Sequence, residues 1–401
     1  MIKKTRNFIR RAIYFFIAVI VKWSICHYFI NNNRKRVLIL RLDGIGDAIL
    51  WLDSAKEYRT LFPPDQYELT VLCADIWSTI AYELPFFDHI IPLNKKKCYN
   101  ELRYYYKLLK EVKDAGYDVV INSSYSRDFI FEDTIVWISG AERRIGFVGD
   151  LSNIRSWEKR LSDKWYTELI SSNKTNLMEL ERNAEFMRKL GLGHFKSGVP
   201  QLPKMKVSID IPEEEYFVLF PGASSWSKMW PLGNFADIAE RLHEITGWVG
   251  VICGGANEKI LGEQIISNRI KCRFINLCGE TTLPELAEII RNACILISND
   301  TSATHFAAAV STPSVCILGG GHFGRFLPYT IDSRVQAMLL PRAVFCRMDC
   351  YHCNWQCNKI SDEKEHYPCI AAITVDQVWV NIMEIIYKKP IHLEDIAKEE
   401  G

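Results

Sequence analysis

From residue 36 onward, the chain alternates between short apolar runs and longer stretches in which apolar positions recur at helical spacing. The short runs are rich in β-branched residues, as in buried parallel strands, and the longer stretches are typical of helices that cover a sheet. In the first half, the pattern predicts strands at 37–41, 69–73, 89–92 and 119–122, and helices at 48–61, 101–115 and 176–190. This alternation indicates an α/β architecture.

A second set of strands and helices follows a stretch rich in glycine and proline. That stretch, at 193–214, has little periodicity and is predicted to be a linker between domains. Beyond it we predict strands at 216–220, 248–253, 274–277, 294–298 and 314–318, and a closing helix at 374–388. The best-marked helix start is Thr282, because Glu285 follows it at the spacing of a capping box.

The length of 401 residues exceeds the size at which a single hydrophobic core keeps growing, so two domains with additional segments are expected. We predict two Rossmann-like, doubly wound domains that face each other across a cleft. The predicted order is a basic apolar segment at 1–35, a first domain at 36–192, the linker at 193–214, a second domain at 215–340, a cysteine-rich segment at 341–372, and a closing helix and tail at 373–401.

Charge is balanced over the whole chain but not at its start. A net charge of +1, with 48% hydrophobic and 24% charged residues, describes a globular protein and argues against a nucleic-acid partner or a disordered chain. Five basic residues precede an apolar run at 12–21: Lys3, Lys4, Arg6, Arg10 and Arg11. Basic residues beside an apolar set suit anionic headgroups and the acyl boundary, so we predict a helix that lies on a membrane surface. The apolar set is Ile13, Tyr14, Phe15, Phe16 and Trp23.

Two alternatives for this segment were weighed. The apolar run is interrupted by Lys22 and His27 and is shorter than the ~20 residues of a spanning helix, yet a signal anchor that spans stays open. A cleaved signal peptide is disfavoured, because no small-residue cleavage site precedes the first strand.

The first segment with candidate chemistry lies where the first strand ends. It contains Asp43, Gly44, Gly46 and Asp47. The carboxyl end of a parallel strand is a binding position, and the two glycines let the backbone approach a ligand. Asp47 is a candidate general base there. The alternative is that Asp43 or Asp47 only caps the following helix.

A second segment, the loop at 221–231, also follows a predicted strand. Its candidate anion-binding residues are Gly222, Ser224, Ser225 and Lys228. Backbone N–H groups, hydroxyls and a compact positive charge together suit a diphosphate. The spacing of a Walker loop is absent. The alternative is a solvated loop whose Trp226 and Trp230 pack on the domain.

The third segment combines a strand end, a polar turn and a small-residue helix. Its candidate residues are Asp300, Thr301, Ser302 and His305. Backbone N–H groups at the start of this helix can hold phosphate oxygens, and the helix dipole favours a leaving diphosphate. Simple capping by Asp300 is the alternative. A similar turn at Gly254 and Gly255 precedes Glu258, whose carboxylate suits a ribose.

Taken in this order, the three segments resemble glycosyltransferase family 9, the family of the lipopolysaccharide heptosyltransferases, over roughly residues 36–385. The resemblance implies a GT-B fold, with the acceptor on the first domain and the nucleotide-sugar on the second. It implies an inverting reaction that requires no metal or other cofactor. Asp47 matches the general base, with Asp43, Gly44 and Gly46 as the acceptor-side loop.

The resemblance also assigns donor binding. The matching residues are Gly222, Ser224, Ser225, Lys228, Glu258, Asp300, Thr301, Ser302 and His305. The favoured donor is ADP-heptose, and the expected acceptor is a lipid-linked lipopolysaccharide or related glycan at the cytoplasmic face of the bacterial inner membrane. Ser302 stands where a glycine is usual, and the aromatic stretches at 103–106 and 157–165 also depart from the pattern, so the sugar and acceptor stay open. A nucleotide-sugar epimerase of the same fold and a non-catalytic scaffold are alternatives.

Thirteen cysteines are present, and eight of them are scattered, several within apolar runs, which is typical of reduced core residues. The odd total argues against a complete disulfide framework. The other five form a dense cluster: Cys346, Cys350, Cys353, Cys357 and Cys369. A radical-SAM site is disfavoured, because only about fifty residues follow the cluster. A structural zinc site at Cys350, Cys353, Cys357 and Cys369, and structural cysteines without metal, both stay open.

Overall fold

The structure, a computed structural model, describes residues 2–25, 33–172, 177–267, 271–331, 340–362 and 364–387, and the side chains from residue 10 onward within those ranges. The chain divides into two compact units, Met1–Pro203 and Lys204–Gly401. This division falls inside the predicted linker, where residues 193–214 form neither helix nor strand. Each unit is built on its own six-stranded parallel sheet.

The sheet of the first unit contains strands β1 to β6. Their bounds are Lys35–Arg41, Tyr67–Ala74, His89–Leu93, Val119–Asn122, Arg143–Phe147 and Glu168–Ile170. The spatial order is β3-β2-β1-β4-β5-β6, and Val37 of the central β1 pairs with Leu69 on one side and Val119 on the other. This doubly wound order has its topological switch point between β1 and β4.

The helices of the first unit are α1 to α9. Their bounds are Ile2–Trp23, Ile45–Ala55, Tyr58–Leu61, Ser78–Ala81, Lys95–Asn100, Leu102–Asp114, Thr134–Ser139, Ser156–Ser162 and Glu179–Leu190. A π-helical turn spans Phe129–Asp133, and 3-10 turns span Asp75–Trp77 and Asp163–Trp165. Because β1 is covered on both faces, its run of Val37 to Leu40 is 0% exposed.

Helix α1 precedes the first strand and packs on the first unit. Its Tyr14, Ala18 and Val21 are at most 1% exposed and belong to the hydrophobic core. The helix is much longer than the predicted apolar run at 12–21. Among the residues that the structure describes, no helix is both long enough and apolar enough to cross a bilayer.

The sheet of the second unit contains strands β7 to β12. Their bounds are Tyr216–Phe220, Val249–Ile252, Phe274–Asn276, Ile295–Asn299, Ser314–Ile317 and Arg342–Val344. The order β12-β11-β10-β7-β8-β9 repeats the topology of the first sheet. Its switch point therefore lies between β7 and β10.

The helices of the second unit are α10 to α15. Their bounds are Leu232–Thr246, Lys259–Ser267, Leu283–Arg291, Ser302–Ala309, Pro368–Ala371 and Val375–Tyr387. Short 3-10 turns span Trp226–Lys228 and Ala256–Glu258. The predicted capping box is confirmed, because the Thr282 N–H donates to Glu285 Oε2 at 2.9 Å and the Glu285 N–H donates to Thr282 Oγ1 at 3.4 Å.

The structure confirms the nine predicted strands to within two residues at each end and adds three that the pattern missed. β5 begins with two arginines that break its apolar run, and β6 and β12 have only three residues each. The predicted helix at 48–61 is two helices, separated at Lys56 and Glu57. The predicted ends at residues 176 and 388, together with Cys26 and most of the tail, lie outside the described residues.

Candidate active site

The switch point of the first sheet positions the predicted acceptor-side residues. Helix α2 begins directly after β1, with Gly44 as its N-cap in an extended conformation (φ −68°, ψ 172°), so neither Asp43 nor Asp47 holds the N-cap position. Asp47 lies half-buried in the first turn of this helix. Its Oδ2 is only 3.5 Å from the position that a Cβ on Gly44 would take. The Asp47 carboxylate therefore lies beside the glycine turn.

A fully buried arginine, Arg41, organises this end of β1. Its Nε lies 3.1 Å from Asp43 Oδ2, and its Nη2 donates to the backbone oxygen of Asp47 at 3.1 Å. Burial lowers the pKa of the Arg41 guanidinium, but the carboxylates of Asp43, Glu179 and Asp47 outweigh burial and raise that pKa above its ordinary value. The cation is thus permanently charged and holds both aspartates near it.

A buried carboxyl group from the π-helical turn joins the same cluster. Ser124 Oγ, just beyond β4, lies within hydrogen-bond distance of Asp43 Oδ2 at 3.3 Å and of Glu132 Oε1 at 3.1 Å. Burial, reinforced by the Asp43 carboxylate, raises the pKa of Glu132 to about 8. Glu132 therefore carries a proton at neutral pH.

Sequence reasoning assigned no role to Arg41 or Glu132. A signal existed for each: an arginine directly follows the apolar run of the first strand, and a Glu-Asp pair interrupts the apolar run that begins at Phe129.

The 221–231 loop of the second unit is held in shape by one buried amide. The Asn299 side chain, at the end of β10, donates to the Pro221 carbonyl at 2.6 Å and accepts from the Trp230 N–H at 3.0 Å. Trp230 is fully buried and donates its indole N–H to the Ile373 carbonyl at 2.8 Å. Packing on the domain thus accounts for Trp230, whereas Trp226 is 41% exposed.

Lys228 and Asp300 form the charged centre of the candidate site in the second unit. The Lys228 ammonium donates to Ser224 Oγ at 3.1 Å, and Ser225 accepts from the Lys228 backbone N–H at 3.1 Å. Burial lowers the pKa of Lys228, opposed by the nearby Asp300 carboxylate. Burial also raises the pKa of Asp300 to about 6, against the opposing effect of Lys228. A partly buried ammonium group is stabilised when a further anion binds beside it.

The N-terminus of helix α13 presents unsatisfied donors at the same strand end. Thr301 is the N-cap but its side chain makes no capping hydrogen bond, and within the described part of the chain its buried Oγ1 has no partner. Ser302 is half-buried as the first helical residue. Unsatisfied backbone N–H groups and a positive dipole end together favour an anion.

Glu258 reaches the 221–231 loop from the neighbouring strand β8. Its Oε2 accepts from the Gly255 N–H at 2.7 Å. A Cβ on Gly222 would lie 1.9 Å from Glu258 Oε1, so any larger residue at position 222 would displace this carboxylate. The structure therefore brings Gly222, Glu258, Lys228 and Asp300 to one edge of the sheet.

His305 is buried, whereas Lys228 and Asp300 are partly exposed. It is 4% exposed, its Nδ1 lies 2.8 Å from the Tyr329 hydroxyl, and the two rings stack at 5.8 Å. Burial lowers the pKa of His305 to about 4, so the imidazole is neutral. The structure gives His305 a packing contact inside the second unit, and its predicted contact with a donor stays a prediction.

The cysteine-rich segment packs against the 221–231 loop. The Lys228 ammonium lies 4.4 Å from the centre of the Trp355 ring, and the Tyr367 N–H donates to the Ser227 carbonyl at 2.8 Å. Trp226 stacks on His366 at 5.1 Å. This segment therefore covers Lys228 from one side.

The same segment is seated on the glycine turn after β11. His352 and Asn354 donate their N–H groups to the Gly320 and Gly321 carbonyls at 2.8 and 3.0 Å. A Cβ on Gly321 would lie 2.3 Å from the Trp355 ring. The turn thus needs glycine so that Trp355 can reach Lys228.

The twelve cysteines that the structure describes form no disulfide. Cys350, Cys353, Cys357 and Cys369 line one small cavity of about 10 Å³ together with Tyr351 and other residues. Within the described ranges, however, no three His, Cys, Asp or Glu side chains are arranged to hold a metal ion. The arrangement of these four thiols therefore does not support the zinc alternative.

A model of the family "Glycosyltransferase family 9 (heptosyltransferase)" matches residues 105–344, more than half of the chain. The chain belongs to glycosyltransferase family 9. It is therefore a glycosyltransferase, as the sequence resemblance implied.

Two curated relatives of this family 9 protein come from Escherichia coli K12. Lipopolysaccharide heptosyltransferase 3 is 24% identical over 241 residues, covering 58% of this chain and 67% of that protein. Lipopolysaccharide heptosyltransferase 2 is 24% identical over 306 residues, covering 71% and 82%. The solved structure of the E. coli ADP-heptose lipopolysaccharide heptosyltransferase II has a TM-score of 0.63 at 19% identity, covering 88% of this chain and 98% of that one. This structural likeness confirms the α/β, GT-B type of fold.

Proposed function

We propose that this family 9 transferase moves heptose from ADP-heptose onto a lipopolysaccharide or related lipid-linked glycan at the cytoplasmic face of the inner membrane. The E. coli relatives named as lipopolysaccharide heptosyltransferases support the sugar and the acceptor class. The solved neighbour described as an ADP-heptose transferase supports the donor. Family membership favours transfer over the epimerase alternative.

The observation that carries the proposal is the anion site at the β7/β10 switch point. Lys228, half-buried beside Asp300, lies at the same strand ends as the start of α13, where the N-cap side chain makes no capping hydrogen bond. A diphosphate there would receive one ammonium and the free N–H groups of a helix start, which suits a nucleotide-diphosphate leaving group. These groups neutralise charge without a metal, so we propose that transfer requires none.

Asp47 is the proposed general base. As the acceptor hydroxyl attacks the anomeric carbon, the new C–O bond forms, its proton passes to the Asp47 carboxylate, and the bond to the diphosphate oxygen breaks with release of ADP. Attack from the face opposite the leaving group inverts the anomeric centre. The buried Arg41 cation, which pairs with Asp43 and donates to the backbone oxygen of Asp47, holds this turn of the chain in place.

The test is turnover of ADP-heptose with a lipid-linked acceptor in EDTA, beside a panel of UDP- and GDP-sugars. Asp47→Asn should lower kcat by about 10²–10⁴-fold. The matched control is Asp65→Asn, an exposed aspartate in a turn of the same unit, which should leave kcat unchanged.

Three outcomes would contradict parts of the proposal. Turnover that survives Asp47→Asn would refute the base. Release of a nucleotide from another sugar only would retain the transferase class and replace heptose. Loss of turnover in EDTA, restored by a divalent metal, would refute metal-independent transfer.

A further inference from the structure

The inner face of helix α1 is built into the first unit. Tyr14 donates its hydroxyl to the Cys98 and Tyr99 carbonyls, each at 3.0 Å, while Ala18 and Val21 are fully buried. Tyr14 and its buried neighbours therefore belong to the domain core and are not available to a membrane.

Two cations lock the helix in place. Arg11 makes two hydrogen bonds, of 2.7 and 2.9 Å, to the carboxylate of Glu158, whose side chain is 0% exposed. At the other end, the Lys113 ammonium donates to the carbonyls of Val21, Lys22 and Ser24 at 2.8, 2.7 and 2.6 Å. Lys113 thus satisfies orphan carbonyls at the helix end. Inserting α1 across a bilayer would break the buried ion pair and this cap.

The outer face of the same helix is apolar and exposed. Ile13, Phe16, Ile20 and Trp23 are 41%, 65%, 45% and 83% exposed. Their spacing of three, four and three residues places them in one line along the helix, which we name the outer stripe. A helix on a soluble domain normally carries polar residues on that face, and a continuous apolar line marks an interaction surface.

The chain segment that carries the outer stripe is basic. The first 42 residues contain no aspartate or glutamate. The elements that hold α1 also expose basic side chains: Arg103 and Lys107 on α6, and Arg155 and Arg160 at α8. Glu101 and Glu111 are exposed on α6 as well and balance its two basic residues, so the positive excess comes from the sequence of residues 1–36 and from α8. An apolar line within a basic surface is complementary to anionic lipid headgroups over acyl chains.

We infer that the outer stripe is a monotopic membrane-docking surface, which lies in the interface of an anionic bilayer with α1 parallel to the membrane plane. Trp23, the most exposed member, is the residue type that anchors at headgroup depth. The inference rests on the proposed function in one respect: a lipid-linked acceptor would be located at the membrane surface where the enzyme docks. It differs from the sequence prediction by excluding Tyr14 and Phe15, since Phe15 stacks on Trp137 and Trp165.

The experiment is flotation of the full chain with phosphatidylcholine vesicles, with and without phosphatidylglycerol, at low and high salt. We expect binding only to the anionic vesicles, weakened by salt. Phe16→Ser/Trp23→Ser should weaken binding by about tenfold or more, because two large apolar side chains no longer enter the interface. The matched control is Ile245→Ser/Val380→Ser, two exposed apolar residues of the second unit, which should bind as the parent protein does.

Each contrary result overturns the inference. These are absence of binding by the parent protein, equal loss in the control variant, or retention in membranes after alkaline carbonate extraction, which would indicate a spanning helix. A dimer in sedimentation that the stripe variant abolishes would instead make the stripe a contact between copies of this chain. Unchanged thermal unfolding of the stripe variant excludes misfolding. The flotation experiment contains no sugar donor, so a negative result there does not bear on the proposed heptosyl transfer. A negative result in the transfer assay likewise does not bear on vesicle binding.

Discussion

Replacing Asp300 by asparagine should stabilise the protein while impairing transfer. The pKa of Asp300 lies near 6 against an ordinary value of 3.8, and each pKa unit corresponds to about 1.4 kcal/mol, so ionising this buried carboxylate costs the folded state about 3 kcal/mol. Because the residue keeps partial exposure, we expect about 1–3 kcal/mol of added stability in Asp300→Asn at neutral pH.

The sign of the pH dependence follows from the raised pKa. Below pH 4 the carboxyl is protonated in both the folded and unfolded states, so the variant and the parent should unfold alike. Between pH 4 and 6 the unfolded state releases its proton first, and the free energy of unfolding of the parent falls relative to Asp300→Asn. Above pH 6 the difference should be constant.

The assay is urea unfolding of both proteins from pH 4 to 8, read as the difference in unfolding free energy at each pH. Groups common to both proteins, including Glu132, cancel in this difference. A difference that does not change with pH, or a destabilised variant, would refute the reasoning. Steady-state kinetics on the same samples should show reduced donor turnover, because a charged group that destabilises the folded protein is often one that its activity requires.

Two further predictions concern one candidate-site residue in each unit. Trp355→Ala removes the ring that lies 4.4 Å from the Lys228 ammonium and should raise the donor KM severalfold, with a smaller effect on kcat. The control Trp379→Ala should leave the donor KM unchanged. Equal KM values in the two variants would contradict a role for Trp355 in holding Lys228. Glu132→Gln should leave stability unchanged at pH 4 and increase it progressively toward pH 8, because the folded state holds the proton up to about pH 8; a flat difference in urea unfolding would count against a buried, protonated Glu132.

The fold was largely readable from the pattern of apolar residues. Strands such as β1 and β7 are covered on both faces, so they appear as continuous apolar runs, and the turn after each carries its ligand-facing residues at a predictable place. The pattern missed β6 and β12, which have three residues each, and β5, which begins with two arginines. These strands form because a neighbouring strand supplies their hydrogen bonds. The capping box at Thr282 was readable because its physics is local.

The candidate site was readable only in part. Lys228, Asp300 and Glu258 follow separate strands, and their grouping follows from the parallel order of those strands. The charge of Glu132 inside an apolar run is visible in the sequence, but its contact with Ser124, like that of Trp355 with Lys228, depends on the tertiary packing of separate segments. Cys350 and its neighbours show the opposite case, because their spacing left a zinc site open that the arrangement of the described side chains does not support.

The sequence by itself determined the α/β class, the two-unit order, the family and the polar residues at the strand ends, because local periodicity and short motifs encode them. Only the tertiary structure decided which side chains become buried and which charges face each other. Tyr14 and Phe16 are two residues apart with similar hydrophobicity, yet one lies in the core and the other is 65% exposed. Their fates differ because burial depends on the helix face that the rest of the domain covers, and that information is not local.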